Sequence, residues 1–187
     1  MRRYSLKTAE KHHIETISHI HAYCWRETYS FMPENVLANR DQKYRQRQWE
    51  SWFAEIRPQE ALFTLHYDKQ VVGFCMCKPN DDLDAPLGKG EMHAAYILPE
   101  YRGGIVGPLM MLKMALYMKE NDLSPPILWA FKQNSIRFWY AQLGWERFIY
   151  RTRSINGNAI PEYGYIHNDI DRLISRLERI IARYLPS

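Results

Sequence analysis

The sequence predicts a single α/β domain built around a mixed sheet. Strand-like apolar runs and segments with helical spacing follow one another in the order β, α, α, β, β, β, α, β, α, β, β. Such interleaving is typical of helices that pack on a sheet. The 187 residues contain no repeats or linkers, so we expect one domain over residues 1–187, with a core at 4–166 and a helical extension at 167–187.

The composition is that of an ordinary globular protein. Hydrophobic residues make up 46% and charged residues 25% of the chain, and the formal net charge is +4. The basic residues are scattered, with the densest group at 40–47, so we do not expect nucleic acid as a partner. The first residues lack an export signal, and no window approaches the ~18 apolar residues of a membrane span. We therefore expect a cytoplasmic protein that does not act at membranes.

We expect the three cysteines to be reduced thiols that pack in the core. Cys75 and Cys77 lie in an apolar strand-like run, and Cys24 lies in a predicted helix. The chain has no second Cys or His pair at metal-ligand spacing. We expect no metal site.

The first half of the chain predicts a strand, two helices and a hairpin. Apolar spacing predicts a strand at 4–8, a helix at 10–25, an aromatic elbow at 25–37 and a helix at 44–56. Two apolar runs at 61–67 and 70–77 flank Asp68-Lys69, which suits a tight hairpin. The loop at 78–90 holds three aspartates, and it is either a polar surface loop or an attractor for a cationic substrate.

The second half predicts further strands and helices and ends in an amphipathic helix. The predicted strands cover 91–98, 127–131, 145–154 and 159–166, and the predicted helices cover 106–120, 135–144 and 169–185. The Asn156-Gly157 turn joins the last two strands into a hairpin. The apolar face of the final helix either packs on its own domain or forms a homodimer or partner surface.

The stretch 91–107 carries the strongest functional signal. A strand stopped by Pro99 leads through Arg102, Gly103 and Gly104 into an apolar helix. A helix start has unpaired N–H groups and a positive dipole end, and glycines let an anion approach the main chain. The pattern indicates a phosphate-binding turn, although a plain strand-to-helix corner has the same appearance.

Four segments in this order resemble the GCN5-related N-acetyltransferase (GNAT) superfamily. They are WRETYSFMPENVL, YILPEYRGGIVG, ILWAFKQN and FWYAQLGW. The resemblance implies a fold whose central strands splay apart, with acetyl-CoA as acyl donor in the gap and a small-molecule or peptide amine as acceptor. The acceptor itself stays open, because function resides in the site and not in the scaffold.

The resemblance also implies which residues hold acetyl-CoA. Ile97 and Leu98 match the backbone positions that meet the pantetheine and the thioester carbonyl, and Asn134 matches a cofactor-binding asparagine, with Gln133 as the alternative by spacing. The turn positions that match the pyrophosphate site are Arg102, Gly103, Gly104, Ile105, Val106 and Gly107. Ile105 stands where the family pattern has glycine, and Pro108 removes an amide, so both positions could weaken CoA binding.

Three residues are candidates for proton transfer. Tyr140 matches the family tyrosine that lies near the thioester sulfur and can protonate the leaving thiolate. The resemblance makes Glu91 the first candidate for the general base, because its spacing from Arg102 matches that of a catalytic glutamate in histone-type members of the family. His93 competes, because strand alternation places it on the same face as Glu91 and its pKa suits proton transfer.

The aromatic elbow and the terminal hairpin are candidates for acceptor recognition, although their aromatic residues could equally belong to the core. The candidates are Trp25, Arg26, Tyr29, Phe31, Tyr163 and Tyr165.

Three functions are compatible with these features. The first is an acetyl-CoA-dependent N-acetyltransferase that works by direct attack of an amine. The second is a CoA-binding or regulatory module without turnover, prompted by Ile105 and Pro108. The third is a toxin of this family that acetylates aminoacyl-tRNA, prompted by the mild basicity.

Overall fold

A seven-stranded mixed sheet forms the centre of the computed structural model, which describes residues 4–184. The strands are β1 Tyr4–Thr8, β2 Ala61–Tyr67, β3 Gln70–Pro79, β4 Gly90–Ile97, β5 Pro126–Phe131, β6 Glu146–Ile155 and β7 Asn158–Ile166. The helices are α1 Ile14–Thr28, α2 Glu34–Ala38, α3 Gln42–Ala54, α4 Val106–Glu120, α5 Ile136–Leu143 and α6 Ile170–Ala182. The predicted mixed α/β fold class is confirmed, and the predicted elements follow one another in the predicted order, with the short helix α2 added at the end of the predicted elbow.

The sheet order is β1-β2-β3-β4-β5-β7-β6, and the β4–β5 junction is its weak point. All other neighbours pair antiparallel over most of their length. The parallel strands β4 and β5, both within the described residues, pair only at Gly90↔Pro126 and Glu91↔Ile127. Beyond Glu91 the two strands diverge, which opens a gap in the middle of the sheet.

Helices cover both faces of the sheet, which explains the continuous apolar sequence of β3. Cys75 and Cys77 point to the face that carries α4 and α6, whereas Phe74 and Met76 point to the face that carries α1 and α3. All three cysteines are buried free thiols, and burial raises the pKa of Cys75 to about 12.

The C-terminal helix packs on its own domain. Leu173 and Leu177 are fully buried in the same core as Met114 and Met118 of α4. The Asp169 side chain caps the helix by accepting a 2.9 Å hydrogen bond from the Arg172 N–H. The apolar face is therefore used within the domain. Leu185, the last residue of the predicted helix, lies outside the described residues.

Two turns and one helix end show how local sequence set the boundaries. Asn156 and Gly157 have φ of 48° and 76°, as a two-residue hairpin turn requires. Asp68 in the first hairpin has φ of 52°. Helix α1 continues to Thr28, three residues further than predicted, so it includes the first part of the aromatic elbow. None of the described helices is long and apolar enough to cross a membrane.

Truncation of Leu177 tests the role of α6. Leu177→Ala should lower the free energy of unfolding by about 2–5 kcal/mol, because it leaves a cavity between α6 and α4. Glu178→Ala, at the exposed position next to it, should change stability by less than ~0.5 kcal/mol. Urea unfolding monitored by tryptophan fluorescence measures both, and equal stability of the two variants would contradict this packing.

Candidate active site

A cleft fills the gap between β4 and β5. Its walls come from β4, β5, the end of α1, the turn before α4, α4 itself and α5, and its volume is about 820 Å³. The residues that line the cleft include Tyr29, His93, Tyr96, Arg102, Asn134 and Tyr140. The cleft therefore gathers most of the predicted functional segments in one place.

A β-bulge at His93 marks the point where the strands part. The register between β3 and β4 passes from Cys77↔Met92 to Met76↔Ala94, which leaves His93 between the two pairs. The extra residue reverses the facing of the strand, so that Met92 packs with the α4 side and Ala94 with the α1 side. A bulge also increases local twist, and this accounts for the loss of pairing with β5 directly after Glu91.

Beyond the bulge, β4 presents an unpaired backbone edge to the cleft. The Leu98 N–H donates to the Val72 carbonyl at 3.0 Å, so even-numbered residues of this part of β4 bond to β3. By alternation, the N–H groups of Ala95 and Ile97 point the other way, toward the cleft that both residues line. The structure thus separates the two predicted backbone positions, since Ile97 faces the cleft and the Leu98 N–H is already bonded.

The turn from Arg102 to Gly107 has the form of an anion site. Gly103 and Gly104 have φ of 98° and 53°, values that favour glycine. Within residues 4–184, the N–H groups of Gly104, Ile105 and Gly107 have no hydrogen-bond partner. These groups lie at the start of α4, where the helix dipole also favours an anion.

Ile105 does not obstruct this turn. Its φ of −78° and ψ of −17° are ordinary helical values, and its side chain packs against the α4 core. The flexibility that the family pattern places at this position is supplied by Gly103 and Gly104 instead. Ile105 and Val106 do not line the cleft, so only their backbone is near it.

Arg102 ties the turn to α1 and β4. Its Nε donates to the Ile97 carbonyl at 2.8 Å, and its Nη1 forms a 2.6 Å ion pair with Glu27. The Cys24 thiol donates to the same carbonyl at 3.3 Å. These contacts fix the wide end of the cleft, where β4 runs into the turn.

Asn134 lines the opposite wall, two residues before α5 begins. Its side-chain oxygen accepts a 3.1 Å hydrogen bond from the Ile136 N–H, which leaves the amide nitrogen for other partners. Gln133, the alternative by spacing, also lines the cleft. Asn134 and Gln133 both line the cleft, so its geometry is compatible with either residue as the cofactor-binding amide.

Tyr140 is a partly buried phenol on α5 that lines the cleft. Burial raises its pKa, and the neighbouring Tyr29 and Tyr165 raise it further. The phenol is therefore protonated at neutral pH and is able to donate a proton or a hydrogen bond. Its backbone carbonyl accepts from the Trp145 N–H at 3.1 Å, which anchors the end of the helix.

Glu91 and His93 form a hydrogen-bonded pair at the bulge. The His93 Nδ1 lies 2.7 Å from a Glu91 carboxylate oxygen, and the other oxygen lies 3.3 Å from the Lys78 ammonium. Burial acts to raise the pKa of Glu91, but His93 and Lys78 outweigh it, and the net pKa lies below the ordinary value. Glu91 is buried and does not line the cleft, whereas His93 is exposed to it.

The tautomer of His93 follows from this contact. An ionised carboxylate only accepts hydrogen bonds, so Nδ1 carries a proton, and in the neutral imidazole Nε2 has a free lone pair. Among residues 4–184, Nε2 has no hydrogen-bond partner. The cleft thus contains an imidazole nitrogen that is able to accept a proton.

Tyr29, directly after α1, and Tyr96 of β4 also line the cleft. Burial raises the pKa of Tyr29, partly offset by hydrogen bonds with Tyr96 and Asn134. Burial likewise raises the pKa of Tyr96, so both phenols are neutral at physiological pH. Sequence reasoning missed Tyr96, because simple strand alternation gives no sign of the bulge that sets its direction.

The other predicted acceptor residues lie outside the cleft. Trp25 is 8% exposed and packs in the core with Met32, because α1 continues past it. Arg26 is exposed and pairs with Glu34 at 2.9 Å, and Phe31 lies at the surface. In the terminal hairpin, Tyr165 is a core residue and Tyr163 borders a separate surface hollow.

The aspartates of the 78–90 loop are paired within the protein. Asp81 contacts Lys78 and Arg57, and Asp82 and Asp84 both contact Arg151. Their charges are therefore neutralised locally, which supports the interpretation of a polar surface loop.

The Glu91 contacts predict a pH-dependent stability. Glu91→Gln should destabilise the protein at pH 7 by about 1–3 kcal/mol, because it removes a buried charge that His93 and Lys78 stabilise. The depressed pKa stabilises the fold above the ordinary glutamate pKa of ~4.3, and this stability is lost as the pH falls through the folded value. Urea unfolding from pH 7 to pH 3 should show the difference shrinking in acid.

Glu100→Gln, an exposed substitution, is the matched control and should be neutral throughout. A Glu91→Gln deficit that stays constant down to pH 3 would show that charge is not involved.

Comparison with known proteins agrees with this geometry. The profile of the acetyltransferase (GNAT) family matches residues 17–145. An uncharacterized N-acetyltransferase of Bacillus subtilis, YuaI, is 25% identical over 177 residues, which cover 94% of this chain and 99% of the relative.

Two solved structures share the fold over almost the whole chain. The first is PaiA N-acetyltransferase from Thermoplasma acidophilum in complex with coenzyme A, with a TM-score of 0.60 at 15% sequence identity. The match covers 88% of this chain and 99% of the PaiA chain. The second is YncA from Salmonella typhimurium with acetyl-CoA, with a TM-score of 0.65 at 12% sequence identity. The match covers 89% of this chain and 94% of the YncA chain. The sequence prediction is therefore confirmed, and the chain belongs to the acetyltransferase (GNAT) family.

Proposed function

We propose that this acetyltransferase moves an acetyl group from acetyl-CoA to an amine by direct attack of the amine on the thioester. The observation that carries the proposal is the cleft where the unpaired edge of β4, the free nitrogen of His93 and the phenol of Tyr140 meet. The PaiA and YncA structures hold coenzyme A and acetyl-CoA, which supports the choice of donor.

The residues of the cleft fit acetyl-CoA. The free N–H groups at 104, 105 and 107 suit the pyrophosphate, and the cleft-facing edge of β4 suits the pantetheine amides. The volume of about 820 Å³ lies within the ~300–1,000 Å³ of typical ligand sites. Acetyl-CoA, when bound there, supplies an activated acyl carbon and a thiolate leaving group.

His93 is the proposed general base. Its Nε2 takes the proton that the amine loses as the new C–N bond forms, and Glu91 stabilises the imidazolium through Nδ1. Glu91 is thus a positioning residue, because its carboxylate is buried, has a lowered pKa and does not reach the cleft. This reverses the order of the two candidates that sequence spacing favoured.

The remaining steps use backbone and phenol. The cleft-facing N–H groups of Ala95 and Ile97 are donors for the oxygen that becomes negative as the amine attacks. Tyr140, which its raised pKa keeps protonated beforehand, then gives its proton to the thiolate as the C–S bond breaks. These steps leave an imidazolium at His93 and a phenolate at Tyr140, and passage of one proton from His93 to Tyr140 through solvent restores both groups and balances the reaction.

The hypothesis of a CoA-binding module without turnover rested on Ile105 and Pro108. Ile105 has an ordinary backbone conformation and a core side chain, and Pro108 occupies the first turn of α4, where its missing N–H costs no helix bond. Neither position therefore argues against turnover. The toxin hypothesis stays a prediction, since no contact of the described residues favours it.

Two substitutions test the proposed proton transfers. His93→Gln and Tyr140→Phe should each lower kcat by about 10²–10⁴-fold, because each removes one proton-transfer group. Release of CoA thiol with the best acceptor from an amine panel measures the rate at saturating acetyl-CoA.

The acetyl-CoA-induced rise in Tm is the control and should persist in both variants. Wild-type turnover in His93→Gln would exclude His93 as the base. Absence of any acetyl-CoA-induced shift in the wild type would contradict the donor assignment.

The turn geometry predicts that substitutions at positions 104 and 105 affect acetyl-CoA binding differently. Gly104→Val should weaken acetyl-CoA binding about tenfold, because a branched residue at φ of 53° is strained by ~1–2 kcal/mol. Ile105→Gly should leave the Kd within about twofold and lower the Tm, because Ile105 packs in the core. Isothermal titration measures both, and tighter binding by Ile105→Gly would contradict this account of the turn.

A further inference from the structure

Apolar side chains from three elements line the narrow end of the cleft, where β4 and β5 part. The last pair between the two strands is Glu91↔Ile127. Met92 and Leu128, the next residue of each strand, both pack in the core on the α4 side. Both line the cleft, as does Met114 of α4. The closed end of the gap is therefore bordered by apolar side chains from both strands and from the helix.

Helix α4 presents a stripe of methionines to the cleft. Met110, Met111 and Met114 follow Gly107 at spacings of three, four and seven residues, which place them on one face of the helix. All four residues line the cleft. The stripe runs about 10 Å down the helix from the phosphate turn, because each helical residue rises ~1.5 Å. It connects the turn with the narrow end.

The free edge of β4 has a similar length. From Ile97 to His93 the strand spans about 13 Å, since each strand residue rises ~3.3 Å. The pantetheine arm is proposed to follow this edge from the turn, and His93 is the proposed base, so the thioester belongs at the narrow end. Met92 is the neighbour of His93 in the chain and lines the same cleft. The acyl group is therefore expected to lie beside Met92 and Met114.

The narrow end suits hydrocarbon. Met92, Met114 and Leu128 are only 6%, 3% and 3% exposed. Methionine is unbranched and polarizable, so it rearranges around apolar groups of different shape at low cost. Of the lysine and arginine side chains in residues 4–184, only Arg102 lines the cleft, and it pairs with Glu27 at the wide end. The narrow end thus offers no lysine or arginine to a charged acyl group.

We propose that Met92, Met114 and Leu128 form an acyl pocket, and that the enzyme transfers short unbranched acyl groups longer than acetyl, such as propionyl and butyryl, as well as acetyl. The proposal rests on the proposed function, because it takes the same cleft as the donor site. Added methylenes take the place of the methionine side chains, which turn to other rotamers. The amine attacks the acyl carbon, the C–N bond forms, the C–S bond breaks and CoA leaves as the thiol, as in acetyl transfer.

Binding of a series of acyl-CoAs, without any acceptor amine, tests the acyl pocket. Isothermal titration should show affinity rising about two- to fourfold with each methylene from acetyl- to propionyl- to butyryl-CoA, because each added methylene is buried. Succinyl-CoA has the four-carbon chain of butyryl-CoA but ends in a carboxylate. It should bind about tenfold more weakly than butyryl-CoA or worse, because the pocket leaves that charge without a partner.

Substitution of Met114 tests the pocket wall. Met114→Phe places a rigid ring at the narrow end, so it should lower the ratio of butyryl-CoA to acetyl-CoA affinity about tenfold. The ratio of the two kcat/KM values with the best amine should fall likewise. Leu116→Phe, on the same helix, is the matched control. Leu116 is 36% exposed and does not line the cleft, so this variant should keep the wild-type ratio.

A second variant covers the case in which Met114→Phe does not fold. Met114→Ala enlarges the acyl pocket, so it should raise the affinity for hexanoyl-CoA relative to butyryl-CoA about tenfold over the wild-type ratio. Urea unfolding shows which variants are folded. An unchanged ratio in a folded variant would overturn the proposal.

The outcomes separate the acyl pocket from the proposed function. Affinity that rises from acetyl- to butyryl-CoA, with no CoA thiol released for any amine, would support the pocket and overturn the proposed transfer. Turnover of acetyl-CoA, with affinity that falls at each added methylene, would support the transfer and overturn the pocket. Equal affinity for butyryl-CoA and succinyl-CoA would also overturn the pocket, because the end of the chain would then lie in solvent.

Discussion

The β-bulge at His93 determines how the two halves of the sheet meet. Up to Glu91, β4 and β5 pair as neighbouring parallel strands, and after the extra residue they diverge. A fully paired sheet would leave no room for a ligand in its centre and no free edge on β4. The divergence exposes the N–H groups of Ala95 and Ile97, and the bulge also directs His93 into the space it opens. One local irregularity therefore produces both the cleft and its proposed base.

Two buried charged residues near the cleft, Glu91 and Arg45, differ in whether they have a charged partner. At the bulge, Glu91 is buried with His93 and Lys78 as partners, so its charge is compensated within the protein. Among residues 4–184 the guanidinium of Arg45 has no carboxylate partner; it donates to Gln48 and, with Arg40, lies over the ring of Trp25.

Local patterns predicted most of the fold. Apolar period, turn residues and helix-end signals gave the order of the elements and most boundaries within a few residues, since these depend on neighbours in sequence. The motif segments predicted the family and pointed to Arg102, Asn134 and Tyr140, and strand alternation pointed to His93; all four residues line one cleft. The features that the sequence did not predict depend on tertiary contacts. The bulge reverses the facing of β4 after Met92, so strand alternation missed Tyr96, and it does not predict that His93 lines the cleft while Glu91 is buried beside it. The longer α1 took Trp25 into the core, and the unpaired state of Arg45 depends on contacts between α1, α3 and β4 that no single segment encodes.

The central claim is that acetyl-CoA occupies the gap beyond the bulge, along the free edge of β4 and against the turn at the start of α4. Amide hydrogen exchange measured by NMR, with and without coenzyme A, tests it residue by residue. Coenzyme A should slow exchange at Ala95 or Ile97 and at Gly104, Ile105 or Gly107, while Leu98, already bonded to Val72, should change little. Protection at the α1–α3 surface with none along β4 and the turn would contradict the claim.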